Sequence, residues 1–282
     1  MTELDEDKDT AKQVEVRRPS EDPWAVLRAL TPARIGLGRS GAAVRTPVHL
    51  AFQAAHAMAR DAVFTPFSPE DFATRLTNEL GLVAVPVATL ATDRTTYLKR
   101  PDTGRRLAPE SQRRLEAMRG ADALGSRPDV GLVICDGLSA SGIELHGVPL
   151  VRAFVDALST VGLTLGPIAV ARHGRVALGD PIGEALRAKL VMVVIGERPG
   201  LSAADSVGVY LTFGPRSGRT DAERNCISNI HPPDGLDYVA AAQKAAWLAR
   251  EGLRRSYTGV HLKDESVDGL ALVDELESLP DR

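Results

Sequence analysis

The chain has 282 residues, a formal net charge of -3, 44% hydrophobic residues and 25% charged residues, which are ordinary values for a globular protein with an ample core. The small negative charge gives no support to a nucleic-acid partner, and no apolar run approaches the ~20 residues that a membrane-spanning helix needs. Two cysteines in so long a chain do not form a disulfide framework, and together with an N-terminus that lacks the apolar segment of a signal peptide they indicate a reducing cytoplasm.

The first half of the chain divides into a tail and a helical region. Residues 1–22 hold eight acidic and four basic residues, a composition that predicts a disordered acidic tail; a targeting or packaging segment is the alternative. Residues 23–125 are predicted to be mainly helical. Helices are predicted to begin where proline or a capping side chain precedes an apolar stripe, at Asp22-Pro23, Thr46-Pro47, Ser68-Pro69 and Pro109.

Residues 126–282 change to an alternation of strands and helices. Short apolar runs predict buried strands at Val130–Cys135, Gly166–Ala171, Leu190–Ile195 and Val207–Phe213. Helical patterns lie between or after them at Pro149–Thr160, Asp180–Lys189 and Asp237–Arg255. The predicted fold is therefore α/β, with a C-terminal Rossmann-like, mostly parallel sheet flanked by helices and a mainly helical N-terminal region.

Residues 190–235 contain a candidate ligand site. The apolar runs Leu190–Ile195 and Val207–Phe213 stop at charged loops shaped by glycine and proline, Gly196–Gly200 and Gly214–Arg216. Open α/β sheets bind ligands at loops that follow the carboxyl ends of strands. We therefore interpret this segment as the rim of a binding crevice.

Two upstream patterns resemble sites but are weak. Gly36 to Gly41 match G-x-G-x-x-G, and Asp61 follows twenty residues later. A dinucleotide site needs a buried strand before the motif and a helix that opens on its last glycine. Neither is indicated, so a structural turn is favoured, with contact to a partner or cofactor left open. His49 and His56 lie two helical turns apart without a third ligand, so core or interface packing is favoured over a metal site.

The segment Cys135–Gly142 follows the first predicted strand of the sheet. Its small residues would let a backbone approach a ligand closely, and a loop that lines a cofactor crevice and a plain turn are both open. A nucleophilic Ser139 is disfavoured because the G-x-S-x-G motif of serine hydrolases is missing.

Glu197 and Cys226 have simple structural interpretations when only residue type is considered. A buried, inert cysteine is favoured at 226, since a thiolate nucleophile needs a base in reach and the nearness of His231 in sequence does not establish one. For Glu197, an ion pair with Arg198 or a helix-terminus contact is the corresponding interpretation.

Longer strings in these segments carry a family resemblance. GERPGLS, SVGVYLTFGPR and RNCISNIHPPDGL, together with ARIGLGRSG, FQAAHAMARDAV, ICDGLSASG and RVALGDPIGEAL upstream, are very similar to the small (light) subunit of ethanolamine ammonia-lyase, an adenosylcobalamin-dependent enzyme. The likeness covers roughly residues 24–263. The resemblance implies that residues 126–282 form the α/β domain that contacts cobalamin.

The resemblance implies a function shared with a second chain. The family's large subunit is a TIM-type barrel, and the two chains together convert ethanolamine to acetaldehyde and ammonia by an adenosylcobalamin radical mechanism. A hetero-oligomer of heavy–light pairs is expected in the cytoplasm, with packaging in a bacterial microcompartment left open.

The resemblance also implies which residues contact the cofactor at the interface with the large subunit. They are Val176, Glu197 and Cys226, each within an intact family string. No catalytic residue and no metal ligand is expected in this chain, and the absence of a D-x-H-x-x-G motif agrees with a cofactor that keeps its own benzimidazole ligand. The alternatives are a stand-alone α/β enzyme with a site around Asp136, Glu197 and Cys226, and a purely structural subunit.

Overall fold

The computed structural model describes residues 24–31, 33–120 and 127–266. The chain divides into two compact units between Val48 and His49. The predicted acidic tail, residues 1–22, and the predicted domain boundary at 125 and 126 lie outside the described residues. In the smaller unit, helix α1 (Ala25–Arg28) precedes an antiparallel hairpin of strands β1 (Arg39–Ser40) and β2 (Ala43–Val44).

The larger unit is built from helices and strands in alternation. Its helices are α2 (Thr46–Phe64, which begins in the smaller unit), α3 (Pro69–Leu80), α4 (Arg94–Lys99), α5 (Pro109–Gly120), α6 (Ala140–Thr160), α7 (Gly179–Ala185) and α8 (Tyr238–Arg255). Its strands are β3 (Ala84–Val87), β4 (Val130–Cys135), β5 (Leu165–Ala171), β6 (Leu190–Gly196), β7 (Val207–Phe213) and β8 (Arg224–Ile230). None of the helices in the described ranges has the length and apolarity that crossing a membrane requires.

The six strands of the larger unit form one sheet in the order β3-β5-β4-β6-β7-β8. The first four strands in this order are parallel, whereas β7 is antiparallel to both β6 and β8. The predicted α/β fold with a mostly parallel sheet is confirmed.

Two apolar clusters hold the helices against the two faces of the sheet. All six residues of β4 and all seven of β6 are buried, which explains their unbroken apolar sequences. One face packs against α3, α6 and α8, and its cluster includes Phe72, Phe154 and Ala245. The other face packs against α5 and α7, through residues such as Leu115 and Ile182.

Local sequence signals set the helix boundaries. The Ser68 hydroxyl accepts a hydrogen bond from the Asp71 N–H at 3.2 Å and begins α3, and Gly81 ends it at a φ of 67°. The Asp237 carboxylate accepts from the Ala240 N–H and begins α8. Each side chain satisfies an N–H group that the first helical turn leaves without an intrahelical partner.

The structure corrects three details of the predicted elements. Strands β3 and β8 were not predicted. Helix α6 begins at Ala140, where Ser139 caps it, and Pro149 lies inside the helix and does not begin it. The loop after β7 lies at the opposite end of the sheet from the loop after β6, because the antiparallel register places Gly196 beside Val207 and Leu190 beside Phe213. The two charged loops therefore do not form one rim.

Candidate functional site

One face of the sheet is left partly open at β7 and β8. On this side α7 packs on β4 and β6, and the buried apolar cluster extends to Val193 and Ile195 of β6. Tyr210 of β7 is half-buried at the margin of that cluster, and Cys226 of β8 is exposed. Because alternate residues of a strand share a face, Gly208 lies on the same side as Tyr210.

Glu197 places its carboxylate beside this open face. Its backbone N–H donates to the Ser206 carbonyl at 2.9 Å, and its Oε2 accepts from the Asn229 N–H at the end of β8 at 3.1 Å. A Cβ atom at Gly208 would lie only 2.8 Å from Glu197 Oε1. The glycine therefore leaves the space that the carboxylate occupies. The partner of the Glu197 carboxylate is thus a backbone N–H at the end of a strand. Residue type alone predicted an ion pair with Arg198 or a helix-terminus contact.

Cys226 lies directly opposite Tyr210 in the register of β7 and β8. Loss of hydration beside the sheet raises the pKa of both the Tyr210 hydroxyl and the Cys226 thiol above their ordinary values. The nearby Glu197 carboxylate raises both pKa values further. The thiol therefore stays protonated at neutral pH. The buried position favoured for Cys226 by residue type is wrong, because its side chain is exposed.

Val176 lies at the other margin of the open face. It opens a short 3-10 turn, Val176–Leu178, after β5, and packs against the same apolar cluster as Tyr210. Val176 and Tyr210 also line a cavity of about 440 Å³ together with Ala177, Thr220, Asp221 and three arginines. Tyr210 is thus a common neighbour of Val176, Glu197 and Cys226.

The chemistry of this surface suits a corrinoid, which combines an apolar rim with amide side arms. Val176 and the ring of Tyr210 supply apolar contact, and Glu197 supplies acceptor oxygens. Arg175, beside Val176, has a buried Nε atom without a hydrogen-bond partner among the described residues. A buried donor of this kind is costly unless a ligand or water completes it, so the surface offers both the acceptors and the donors that amide arms need.

Asp136 belongs to a separate, enclosed cluster. Its carboxylate accepts from Arg94 Nη1 at 3.0 Å and from the His173 N–H at 2.6 Å. Burial raises the pKa of Asp136 to about 6, against the opposing effects of Arg94 and the backbone donors of His173 and Gly174. These groups surround the carboxylate, so Asp136 ties the end of β4 to its neighbouring loops.

The loop Cys135–Gly142 is a packed turn. Gly137 has a φ of 54°, and a Cβ there would meet the Gly196 carbonyl at 2.2 Å. The Ser139 hydroxyl donates to the Ala204 carbonyl at 2.8 Å and accepts from the Gly142 N–H. These contacts favour the plain turn over a loop that lines a crevice, and they give Ser139 a capping role.

The two weak patterns of the N-terminal region do not form sites in the structure. Gly36, Gly38 and Gly41 all have positive φ angles; the first two precede the β1–β2 hairpin and Gly41 lies in its turn. Among the described residues 33–48, no buried strand precedes the motif and no helix opens on its last glycine. His49 and His56 are both exposed on α2. Core packing is therefore wrong for both histidines, and their predicted interface role is unchanged. Within the described ranges, no group of three or more His, Cys, Asp or Glu side chains could hold a metal ion.

The sequence interpretation missed Tyr210 as a site residue. The apolar run Val207–Phe213 predicts a uniformly buried strand, whereas Tyr210 and Phe213 of β7 are only partly buried. The signal is the alternation of Gly208, Tyr210 and Thr212 with four large apolar residues, Val207, Val209, Leu211 and Phe213. That alternation is typical of an antiparallel strand with one less covered face.

Comparison with known proteins gives the same family as the sequence strings that contain the residues of the open face. The family model described as ethanolamine ammonia-lyase light chain (EutC) matches residues 21–263. The chain is 51% identical over 247 residues to a protein of Azotobacter vinelandii named ethanolamine ammonia-lyase small subunit, covering 88% of this chain and 90% of that protein. Proteins of the same name from Xanthomonas campestris and Ralstonia nicotianae are 49% and 47% identical, over 88% and 87% of this chain and 90% and 89% of their own lengths. The chain belongs to the ethanolamine ammonia-lyase light chain family.

Proposed function

We propose that this chain and a large subunit together convert ethanolamine to acetaldehyde and ammonia with adenosylcobalamin, and that this chain forms one wall of the corrinoid site. The observation that carries the proposal is the meeting of Glu197, Tyr210 and Cys226 on an uncovered part of the sheet, next to Val176. Family membership supports the reaction, and the geometry supports the role of this surface.

Each residue of the open face has a separate task in this proposal. Val176 and Tyr210 pack against the apolar rim of the corrin. Glu197 accepts hydrogen bonds from amide arms through its carboxylate, which the bond to the Asn229 N–H holds in place. Cys226 packs as a neutral thiol, since desolvation raises its pKa. The chemistry that adenosylcobalamin would supply when bound to this surface is the radical abstraction of hydrogen from the substrate.

In this proposal the chain contributes position and exclusion of water, and supplies no acid, base or nucleophile. The buried carboxylate of Asp136 is occupied by Arg94 and backbone donors, and the Ser139 hydroxyl is occupied by a helix cap and a carbonyl. Substrate chemistry then takes place on the large subunit, which binds ethanolamine.

The exposed apolar surface of α2 supports an interaction with another chain. Leu50, Phe52, Met58 and Phe64 are 57%, 45%, 65% and 58% exposed, and large apolar side chains grouped on one exposed helix are typical of an interaction surface. We assign this surface to assembly with the large subunit into heavy–light pairs. We further propose a cytoplasmic location; packaging in a bacterial microcompartment is a separate question for the assembled enzyme.

The test of the proposed reaction is co-expression with a large subunit, followed by an acetaldehyde assay with and without adenosylcobalamin. We expect activity only when both chains and the cofactor are present. Activity of this chain alone would contradict the proposal and support a stand-alone enzyme. A soluble assembled pair that is inactive with cofactor would contradict it too.

The test of the corrinoid contact is a binding measurement on the assembled pair. Glu197→Ala should weaken cobalamin binding by about tenfold or more, since it removes a hydrogen-bonded charged group. The matched control is Glu116→Ala on the surface of α5, which should leave binding unchanged. Unchanged affinity of both variants would favour a structural subunit that stabilises the large chain without touching the cofactor.

A further inference from the structure

Three arginines surround the cavity beside Val176. Arg105, Arg175 and Arg219 line this space of about 440 Å³. Asp221 is the acidic residue in the lining, and its side chain is 94% exposed. The cavity is therefore a positively charged recess that adjoins the proposed corrinoid surface.

The fold brings Arg105 and Arg175 together through their backbones. The Arg175 N–H donates to the Gly104 carbonyl at 2.9 Å, which places the residue before Arg105 beside the turn that carries Arg175. The Arg175 guanidinium carbon lies 4.2 Å from the centre of the Tyr97 ring, and the Tyr97 hydroxyl donates to the Gly174 carbonyl at 3.0 Å. Buried structure thus fixes the position of Arg175 and of the backbone next to Arg105.

Two of the three guanidinium groups have no acidic partner among the described residues. Arg219 pairs with Glu223 and donates to the Gly214 carbonyl, so its charge is compensated. Arg175 has a single weak bond to the Tyr97 carbonyl at 3.4 Å, and its buried Nε has no partner in the described part of the chain. For the Arg105 guanidinium, the described residues supply neither a hydrogen bond nor an ion pair. An anion in the cavity would satisfy both side chains.

We propose that this cavity binds the phosphodiester of the nucleotide arm of the cobalamin, with Arg105 and Arg175 as its ligands. The inference rests on the proposed function and adds a site for the charged part of the same cofactor. Arginine donors match phosphate oxygens in geometry and charge, and Val176 joins the apolar wall of the cavity to the surface assigned to the corrin. A carboxylate of the large subunit is the competing occupant, which the experiment below separates.

The test compares two corrinoids on the assembled two-chain complex. Cyanocobalamin carries the phosphodiester, whereas dicyanocobinamide lacks the whole nucleotide arm. Arg105→Gln and Arg175→Lys should each weaken cyanocobalamin binding by about tenfold or more, because each removes donors to a charged group. Both variants should bind dicyanocobinamide as the unchanged complex does. Arg106→Gln is the matched control, since it removes the same charge one residue away from the cavity lining.

The outcomes separate this inference from the proposed function. Equal weakening of both corrinoids would overturn the phosphate assignment, because a purely structural arginine affects the whole surface. Weaker assembly of the two chains with unchanged cobalamin affinity would also overturn the phosphate assignment. It would show that the cavity binds a group of the large subunit. An unaltered complex that binds no cobalamin would refute the proposed function itself, before any variant is compared.

Discussion

The carboxylate of Asp180 in α7 and the guanidinium of Arg224 in β8 form a buried two-point ion pair. The two N–O distances are 2.8 and 2.7 Å, and the side chains are 3% and 2% exposed. Arg224 also donates to the Thr212 hydroxyl at 2.8 Å. The pair therefore attaches the last strand of the sheet, which carries Cys226, to a helix that packs on the central strands.

Loss of one partner of this pair should strongly destabilise the chain. We expect Asp180→Asn to lower the free energy of unfolding by about 3–5 kcal/mol, because Arg224 would stay buried with its charge uncompensated. The measurement is urea unfolding of the full chain followed by circular dichroism. Asp221→Asn is the control, since that carboxylate is exposed and contacts Arg224 only at 3.5 Å; we expect a change of about 0.5 kcal/mol or less. Similar stabilities of the two variants would contradict the importance of the buried pair.

Asp136 should make stability depend on pH in the acid range. Burial raises the pKa of Asp136 to about 6 in the folded chain, so the folded state binds the proton more tightly than the unfolded state. The contribution is fully present below the ordinary pKa of an aspartate and is lost as pH rises to about 6. The difference of about 2 pKa units corresponds to about 3 kcal/mol.

The check on Asp136 is a comparison of unfolding free energies between pH 4 and 7 for the unchanged chain and Asp136→Asn. The free energy of unfolding of the unchanged chain, relative to that of Asp136→Asn, should fall as pH rises across this window. Asp93 should show the opposite dependence at lower pH. Hydrogen bonds from Thr96 lower the pKa of Asp93 to about 2, so its contribution is present above the ordinary pKa of an aspartate and is lost as pH falls toward about 2. A difference between Asp136→Asn and the unchanged chain that rises with pH would show that Arg94 outweighs burial.

Gly208→Ala should weaken cofactor binding without unfolding the chain. The added Cβ would lie 2.8 Å from Glu197 Oε1, so the carboxylate must move from its position over the sheet. We expect cobalamin affinity of the assembled pair to fall by about tenfold, as for loss of one charged hydrogen bond. Gly200→Ala is the control in the loop after Glu197, because its nearest contact would be an ordinary 3.4 Å. Equal affinities of the two variants would exclude a role for the position of the Glu197 carboxylate.

Cys226 should be the reactive cysteine of the chain, and bound cofactor should protect it. Cys135 is buried and Cys226 is exposed, so a thiol reagent should modify Cys226 first. The rate of Cys226 modification should keep rising with pH above the range in which an ordinary thiol ionises, because desolvation raises the pKa of Cys226. Mass spectrometry of the small-chain peptides from the assembled pair would measure both rates. Modification of Cys226 at the same rate with and without cobalamin would count against its place at the corrinoid surface.

The strands that the sequence predicted are those with unbroken apolar runs. β4 and β6 lie in the middle of the sheet. Both of their faces are buried, so every position requires an apolar residue or a glycine. β8 was missed because Arg224, Asn225 and Asn229 make it look like a loop, although its buried positions are Arg224, Ile227 and Ile230. The polar residues are tolerated because this edge strand has one covered face and because Asp180 neutralises Arg224.

The order of strands and the direction of β7 were beyond the sequence patterns. A ten-residue connection, 197–206, between β6 and β7 is compatible with a parallel or an antiparallel neighbour when only its composition is considered. The direction of β7 decides which loops lie at the same end of the sheet. A parallel β7 would place Gly214–Arg216 beside Gly196–Gly200, whereas the antiparallel β7 places the two loops at opposite ends. The family strings indicate Val176, Glu197 and Cys226, whereas Tyr210, Arg105 and Arg175 are recognised as site residues only from their three-dimensional neighbours.

The reversal of β7 also has a consequence for the order of folding. Glu197, Tyr210 and Cys226 belong to a meander of consecutive strands joined by two ten-residue loops, 197–206 and 214–223. Val176 and the central parallel strands require longer crossovers through helices. Since closing short loops costs less chain entropy, we expect one wall of the site to form as a local unit, with Val176 and its arginines joining when the crossovers close.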